Sequence, residues 1–370
     1  MNATHPQGLP RNEAAWLAHL ELLAELPYPA PVLIPTVLAA LRSGFNADFG
    51  GFGLVSGEHL QPVAYWTERM TVSALRALAV HQDEMFTEFP LRQQLESDGE
   101  VVRLIQTMPG YEDHWHYRDI LGPLGMRWAM CVPVFDQQGG CDGFLYLYRS
   151  AESGPFSNAE QARLRAARDR LRSLHQHPPA NLPPCPLRTA GTAVLNLDIS
   201  GQMLAKGQKA IELLYLCHDA RMGMLDWAAD DLTALPAPVR DMLQPLLATS
   251  TETDMGLCSV DVAAGRCDFR AERLLATGTD QPQVAVTITH LEPTDITVAR
   301  QLMNWPLSSQ EKRLLIASVR QPSQQQLAEH LGITIGTLKS YINRLQAKLG
   351  LPSRQAIIDK VLEHTSPDGA

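Results

Sequence analysis

The stretch that most constrains this chain's fold lies near its C-terminal end, at residues 327–350, with the sequence LAEHLGITIGTLKSYINRLQAKLG. It contains two short helical patterns separated by Gly332, and Thr334 is placed to cap the second helix. Four apolar residues of the second pattern recur at helical spacing and share one face, namely Leu338, Ile342, Leu345 and Leu349. The sequence therefore predicts a tight helix pair whose second member buries an apolar stripe.

The opposite face of the second helix combines small, polar and cationic residues. Gly336, Ser340 and Asn343 lie opposite the apolar stripe, and Lys339 and Arg344 lie at its margins. Small residues permit close approach, Ser and Asn side chains can hydrogen-bond to base edges, and cations contact phosphates. This face suits the DNA major groove. The alternative is a solvated helix face above an ordinary core stripe.

Charge is distributed unevenly along the chain. The formal net charge is −9 at pH 7, but residues 305–362 hold eight Lys or Arg and three acidic residues, a net charge of +5, which leaves −14 for the remainder. An acidic body with a small basic end is the asymmetry expected of a sensor that carries a nucleic-acid-binding tail.

Two capping boxes predict where helices begin, one ahead of the helix pair and one at the start of its first helix. Ser308 is followed three residues later by Glu311, and Ser323 by Gln326. A last helical pattern follows Gly350–Leu351–Pro352, where glycine and proline end the preceding helix. Residues 303–364 are thus predicted to be an all-α domain of four helices.

This four-helix pattern resembles the LuxR-type helix-turn-helix of bacterial transcription regulators. The resemblance rests on Leu307, Ser308, Glu311, Leu327, Ala328, Leu331, Gly332, Ile333, Thr337, Leu338, Lys339, Tyr341, Lys348, Leu349, Gly350 and Arg354. At 321–328, where the family usually has Gly-x-Ser/Thr-Asn-Lys-Glu-Ile-Ala, the chain reads QPSQQQLA, so a basic residue of that turn is missing.

The resemblance implies that the 334–348 helix lies in the groove and that Thr337, Lys339 and Lys348 hold the DNA backbone. With the residues of the polar helix face, the predicted DNA-binding set is Thr334, Gly336, Thr337, Lys339, Ser340, Asn343, Arg344 and Lys348. One such domain contacts few bases, so we expect a homodimer on a pseudo-palindromic operator of double-stranded DNA.

The preceding 300 residues are predicted to form two α+β domains with antiparallel sheets flanked by helices. Prolines in HQHPPANLPPCPL predict a linker at 176–188. Residues 12–175 resemble a GAF sensor domain, through the strands RWAMCVPVFD and CDGFLYLYRS and the helix entry PFSNAEQARLR. Residues 189–294 open with AVLNLDISGQMLAKGQKAIELLYL and resemble a PAS domain. Gly207–Gln208 stands where that family usually has Asn-Pro or Asn-Ala, which favours a dimerisation or relay module.

Aromatic side chains with hydrogen-bonding groups are concentrated in the first of these domains. Trp66, Trp115, Tyr117 and Trp128 are the candidate ligand-binding residues, because such side chains often line small-molecule pockets. The alternative is that several belong to an ordinary core. The histidine pairs at 114/116 and 175/177 lack further ligands at recognisable spacing, so no metal is predicted. The expected cofactor set is empty apart from a small organic ligand of unknown identity.

The patterns together favour a cytoplasmic transcription regulator rather than an enzyme. The chain has no GxxxxGK[ST], GxSxG or HExxH motif, no secretory signal and no long apolar run. The predicted partners are DNA, a second copy, RNA polymerase and a small-molecule effector, but no membrane. The six cysteines are expected to be reduced. Two alternatives stay open: redox sensing or thiol chemistry at Cys131 or Cys141, and sensor domains that bind a partner protein.

Overall fold

The structure is a computed structural model that describes residues 13–56, 61–67, 71–81, 109–135, 141–175, 184–218, 229–248, 254–275, 282–321 and 323–363. Within these ranges, no helix combines the length and the apolar character needed to cross a membrane. The described residues form two sheet-containing domains and a helical C-terminal domain, which confirms the predicted antiparallel sheets flanked by helices.

The first domain is a four-stranded antiparallel sheet in the order β2-β1-β4-β3. Its strands are β1 (Phe49–Ser56), β2 (Gln61–Thr67), β3 (Met126–Phe135) and β4 (Cys141–Ser150). Its helices are α1 (Glu13–Ala24), α2 (Ala30–Phe45), α3 (Val72–Val80) and α4 (Asn158–Arg170), with short helical turns at Tyr111–Asp113, His116–Leu121 and Arg172–His175. The predicted strands RWAMCVPVFD and CDGFLYLYRS are confirmed as the antiparallel pair β3 and β4, and the turn between them lies outside the described residues.

Helices α2 and α4 pack against the strands of this sheet, and α1 packs against both helices. A methyl group added at Gly50 of β1 would lie 3.1 Å from Cδ2 of Leu38, so glycine lets α2 pack close to the strand. Helix α4 begins at Ser157, whose side chain accepts a hydrogen bond from the Glu160 N–H in a capping box. Leu164 and Ala167 of α4 are buried, and so are Leu171 and Leu174 just beyond its end.

The second domain is a five-stranded antiparallel sheet in the order β6-β5-β9-β8-β7. Its strands are β5 (Leu187–Asp198), β6 (Met203–Lys206), β7 (Met255–Val262), β8 (Gly265–Leu275) and β9 (Pro282–Pro293), and its helices are α5 (Gln208–Cys217) and α6 (Ala237–Leu247). Strand β5 begins inside the segment predicted as linker, because Leu187 already pairs with Pro293 of β9. The strand therefore starts at Leu187, directly after Pro186, and not at residue 189 as predicted.

A disulfide joins Cys217, at the end of α5, to Cys267 of β8. The expectation that all six thiols are reduced is therefore wrong for this pair, whereas Cys131, Cys141, Cys185 and Cys258 remain thiols. The two cysteines stand 50 residues apart in sequence, and their Cα atoms are 6.3 Å apart, within the range that a disulfide spans. Only the packing of α5 on the sheet brings them together.

A buried helix, α7 (Thr294–Gln301), follows β9 where the sequence had indicated a boundary between domains. It packs against α1 and α2 of the first domain and against α8 and α11 of the C-terminal domain. Its first six residues are all buried. Its threonine, isoleucine and valine have modest helix propensity, so burial rather than local preference sets its conformation.

The C-terminal domain consists of α8 (Ser309–Arg320), α9 (Gln324–His330), α10 (Ile335–Leu349) and α11 (Arg354–Glu363). The capping box of Ser308 and Glu311 at α8 is confirmed. The one predicted at Ser323 is wrong, because Ser323 occupies the N-cap position of α9 but its side chain makes no capping hydrogen bond. Gly332, at a φ of +64°, makes the turn between α9 and α10.

Candidate functional site

Helix α10 is capped at its start by Thr334 and at its end by Gly350, as the sequence indicates. Oγ1 of Thr334 accepts a hydrogen bond from the Thr337 N–H at 3.1 Å, which caps the start. Gly350 adopts the left-handed conformation at the end, where its N–H reaches the Gln346 carbonyl. The helix therefore has fixed limits and a fixed turn before it.

One face of α10 is buried in the C-terminal domain and the other is exposed to solvent. Leu338, Ile342 and Leu345 are buried, and Leu349 is half-buried. The polar residues predicted to contact DNA are all exposed, namely Thr334, Gly336, Thr337, Lys339, Ser340, Asn343, Arg344 and Lys348. The eight predicted residues thus form one continuous surface, hereafter the α10 surface, and the rest of the described chain does not cover it.

The small residues of the α10 surface leave space for close approach. A methyl group added at Gly336 would contact only Oγ1 of Thr334, at 3.8 Å. The Ser340 hydroxyl donates to the Gly336 carbonyl at 3.1 Å and keeps lone pairs for an outside donor. Asn343 and Lys339 are exposed and form no hydrogen bond or ion pair with the other described residues.

Glu311 of α8 ties two cations of the α10 surface to the domain core. Its side chain is 7% exposed and lies 3.0 Å from Nζ of Lys348 and 3.9 Å from Nε of Arg344. Burial opposes ionisation of Glu311, but the Ser308 backbone N–H and Lys348 outweigh it and hold its pKa below the usual range. Lys348 and Arg344 therefore connect α10 to α8 through Glu311. Sequence reasoning identified Glu311 only as a capping residue.

Several cations of this domain point toward the rest of the molecule instead of toward solvent. Lys312 is buried, donates to the Met303 carbonyl at 3.3 Å, and has a pKa lowered by burial to about 8. Arg313 pairs with Glu25 of the first domain at 2.6 Å, and Arg320 pairs with Asp295 of α7 at 2.6 Å. The net charge of +5 therefore overstates the positive charge that an outside ligand of this domain would meet.

The family comparison agrees with this geometry. The model of the family described as bacterial regulatory proteins, luxR family, matches residues 305–361. Residues 305–361 are a LuxR-type helix-turn-helix domain. The α10 surface lies within that LuxR-type domain, which covers α8, α9, α10 and most of α11.

Comparisons with whole proteins give weaker similarity. No curated protein sequence matches the chain. The N-acylhomoserine lactone dependent LuxR family transcription factor CepR2 from Burkholderia cenocepacia is 20% identical over 45% of this chain and 94% of its own, with a TM-score of 0.34. The phycoerythrobilin-bound GAF domain of a cyanobacterial phytochrome is 15% identical over 45% and 97%, with a TM-score of 0.31. The E. coli DhaR(N)–DhaL complex is 12% identical over 78% and 93%, with a TM-score of 0.22. TM-scores this low do not establish a common fold.

The four aromatic candidates for ligand binding lie in different parts of the first domain. Trp66 of β2 pairs with Phe52, and the cross-strand pairs continue through Leu145 to Val132 of β3. Because side chains alternate along a strand, Trp128 shares the face of Val132 and hence of Trp66. The two indoles thus lie on the helix-covered face, but on the two opposite edge strands of the sheet.

Trp115 and Tyr117 lie beside the helical turns that precede β3. The Trp115 ring stacks on His81 at a centroid distance of 4.5 Å, and the Tyr117 hydroxyl accepts from Arg127 at 3.4 Å. The structure therefore does not bring all four aromatics to one pocket. Trp66, Trp115 and Trp128 do share one property: each has a buried indole N–H without a hydrogen-bond partner among the described residues.

The cysteines of the redox alternative differ in accessibility. Cys131 is fully buried in β3, so an oxidant cannot reach its sulfur without local opening. Cys141 is half-buried at the start of β4, and its thiol lies 3.7 Å from the Gly143 carbonyl. No group of three or more potential metal ligands occurs among the described residues.

Proposed function

We propose that this chain is a DNA-binding transcription regulator whose N-terminal domains sense a small molecule. The observation that carries the proposal is the exposed α10 surface within a LuxR-type domain. A capped helix with a small and polar outer face can enter the major groove, and the domain core behind it is packed and rigid.

The residues of the α10 surface take different roles in this proposal. Ser340 and Asn343 face outward at the centre of the helix and hydrogen-bond to base edges, while Gly336 allows close approach. Lys339 contacts a phosphate, since its ammonium has no competing carboxylate among the described residues. Thr334 and Thr337 contact the backbone at the helix start. Arg344 and Lys348 contact phosphates from positions that Glu311 keeps fixed.

The two sheet-containing domains form the sensing body of the proposed regulator. The first acts as a GAF-like ligand-binding domain. The second acts as a PAS-like dimerisation or relay domain, with the strand order β6-β5-β9-β8-β7 and helices α5 and α6 as support. The regulator works in the cytoplasm as a homodimer, and the ligand shifts the population between two arrangements of the paired DNA-binding domains. It recruits or blocks RNA polymerase at its operator.

A selection from random DNA duplexes tests this function directly. Full-length protein enriches a two-fold symmetric site, and the Asn343→Ala variant binds with relaxed preference at one position of each half-site. The matched control is Gln355→Ala, an exposed amide of α11 away from the α10 surface, which enriches the wild-type site. A wild-type protein that enriches no sequence would refute the proposal, whereas an asymmetric site would refute only its dimeric form.

A further inference from the structure

A cavity of about 160 Å³ lies at the junction of the two sheet-containing domains and α7. Helix α2 and strand β2 of the first domain supply Thr36 and Trp66, and helix α5 of the second supplies Leu213. Strand β9 supplies His290 and Glu292, and α7 supplies Arg300. The cavity is therefore shared by two domains and by the helix that leads to the DNA-binding domain.

The polar residues of the cavity wall form hydrogen bonds and ion pairs with one another. Nη2 of Arg300 lies 2.5 Å from Oε1 of Glu292, and its Nε donates to Oγ1 of Thr36 at 3.3 Å. Oε2 of Glu292 accepts from the Thr297 hydroxyl at 2.7 Å. Glu292 is only 8% exposed, so this pairing is what keeps its charge stable in the interior. Lys209 and Glu212, which also line the cavity, pair at 3.0 Å, so the charged side chains among the described lining residues are all paired.

His290 adds a neutral polar group to the same wall. It is 2% exposed, and its Nε2 donates to the Ala264 carbonyl at 2.9 Å, which leaves Nδ1 as a lone-pair acceptor. Burial lowers the pKa of His290, against the smaller opposing effect of its hydrogen bond to Ala264. The neutral imidazole is thus the form that lines the cavity.

Trp66 lines the other side of the cavity. Its ring packs against Tyr215 at a centroid distance of 4.5 Å, and its buried Nε1–H has no partner among the described residues. This N–H is enclosed by protein atoms, so Trp66 lines the cavity with its other atoms. Apolar side chains such as Leu213 complete the walls.

The size and charge of the cavity define the ligand class. An engineered protein cavity of about 150 Å³ binds benzene, so about 160 Å³ holds a single ring with few substituents. A charged ligand would need an unpaired counter-ion, whereas Arg300 and Glu292 are already paired. We propose that this cavity binds a neutral, single-ring polar molecule.

The cavity is placed to affect the DNA-binding domain. Arg300 lines it from α7, and Asp295 at the other end of the same helix holds Arg320 of α8. A ligand that moves Arg300 or α2 therefore acts on the contact between body and LuxR-type domain. This inference rests on the proposed function for its regulatory meaning, but ligand binding at the cavity is independent of DNA.

The test measures binding of ring-sized probes to the full chain without DNA. The neutral probes are phenol, benzamide and nicotinamide, and the charged probes are benzoate, nicotinate and benzylamine, with affinities from ligand-observed NMR titration. Ala190 is exposed at the edge of the cavity, so Ala190→Trp obstructs it without disturbing the core. The matched control is Ala205→Trp, at an exposed alanine of β6 outside the cavity lining.

We expect at least one neutral probe to bind the wild type and the Ala205→Trp control, with at least tenfold weaker binding to Ala190→Trp. Equal affinity of charged probes and their neutral counterparts, equal binding to both alanine variants, or no binding by any neutral probe would overturn the inference. Because no DNA is present, such a failure leaves the DNA-binding proposal standing.

Discussion

Nε of Arg320, the last residue of α8, lies 2.6 Å from Oδ2 of Asp295 in α7. The Tyr28 hydroxyl donates to the other oxygen of Asp295 at 2.6 Å and accepts a hydrogen bond from Arg320. The Asp295 side chain is 1% exposed. Burial opposes the charge of Arg320, but Asp295 outweighs it and raises the Arg320 pKa. One buried network thus joins the first domain, the connecting helix and the LuxR-type domain.

Arg320→Ala should weaken this junction strongly. It leaves a buried carboxylate without its cation, and such losses cost about 3–5 kcal/mol in the free energy of unfolding. Urea unfolding followed by tryptophan fluorescence measures the loss. The control is Arg266→Ala, which removes the exposed pair with Asp261 and should leave the unfolding midpoint unchanged. Equal midpoints for the two variants would show that the Arg320 network does not hold the domain in place.

Lys339→Ala should weaken DNA binding to all sequences alike. Removal of one phosphate contact lowers the slope of log K against log salt by about 1. Fluorescence anisotropy with one operator duplex and one unrelated duplex, at several salt concentrations, gives the slope. Lys360→Ala is the matched control, since it removes a lysine of the same domain that pairs with Glu363 on α11. An unchanged slope for Lys339→Ala would contradict the proposed docking of α10.

His19 should make the folded state sensitive to acid. It is buried in α1 beside Lys312, and burial, followed by the Lys312 charge, lowers its pKa from 6.5 to about 3. The folded pKa lies below the unfolded one, so the stabilisation is complete above pH 6.5 and falls as pH drops from 6.5 to about 3. The loss attributable to His19 is about 1.4 kcal/mol per pH unit in that window.

Chemical unfolding at several pH values checks this dependence. His19→Phe should flatten the decline by the amount given above, while His330→Phe, at an exposed position of α9, should leave it unchanged. His116 is also buried and its pKa is also lowered to about 3, so it too costs stability as the pH falls. The His19 variant therefore keeps part of the decline of stability with falling pH. A pH profile of His19→Phe that coincides with the wild type would mean that His19 is not neutral in the folded state.

The Cys217–Cys267 disulfide should be detectable by thiol counting. Titration of unfolded protein should find four thiols without reductant and six with it. Cys217→Ser should lower the free energy of unfolding by about 2–4 kcal/mol under non-reducing conditions, since the cross-link closes a long loop. The same variant should show a smaller effect in the presence of reductant. Six thiols in the untreated protein would exclude the bond.

Much of the secondary structure follows from local sequence. The hairpin of β3 and β4 and the helices α1 and α2 carry their periodicity within single segments, and the Ser308–Glu311 capping box needs only residues three apart. The outward face of α10 was predictable for the same reason. Its apolar stripe fixes which side is buried, and so which side stays exposed.

The cavity and the junction between domains could not be predicted in this way. Tyr28 and Asp295 stand 267 residues apart in sequence, and neither belongs to a recognisable motif. Helix α7 lacks the local signals of a helix and forms because it is buried between two domains. Of the predicted aromatics, Trp66 lines the cavity, but Glu292 and Arg300, which line it too, carried no signal in the sequence. Tertiary contacts alone bring such groups together.

The burial of α7 also bears on the length of the operator. A mobile tether between body and DNA-binding domain would let two copies of α10 accept half-sites at several separations. Here only the turn at Leu302–Asn304 and a few further residues separate the packed α7 from α8. In a dimer, the two sheet-containing domains would therefore set the distance between the two DNA grooves that the α10 helices enter. Insertion of about five base pairs between half-sites would turn one of them to the far side of the duplex. The short connection between α7 and α8 would not let the second α10 reach it, so binding to both half-sites would be lost.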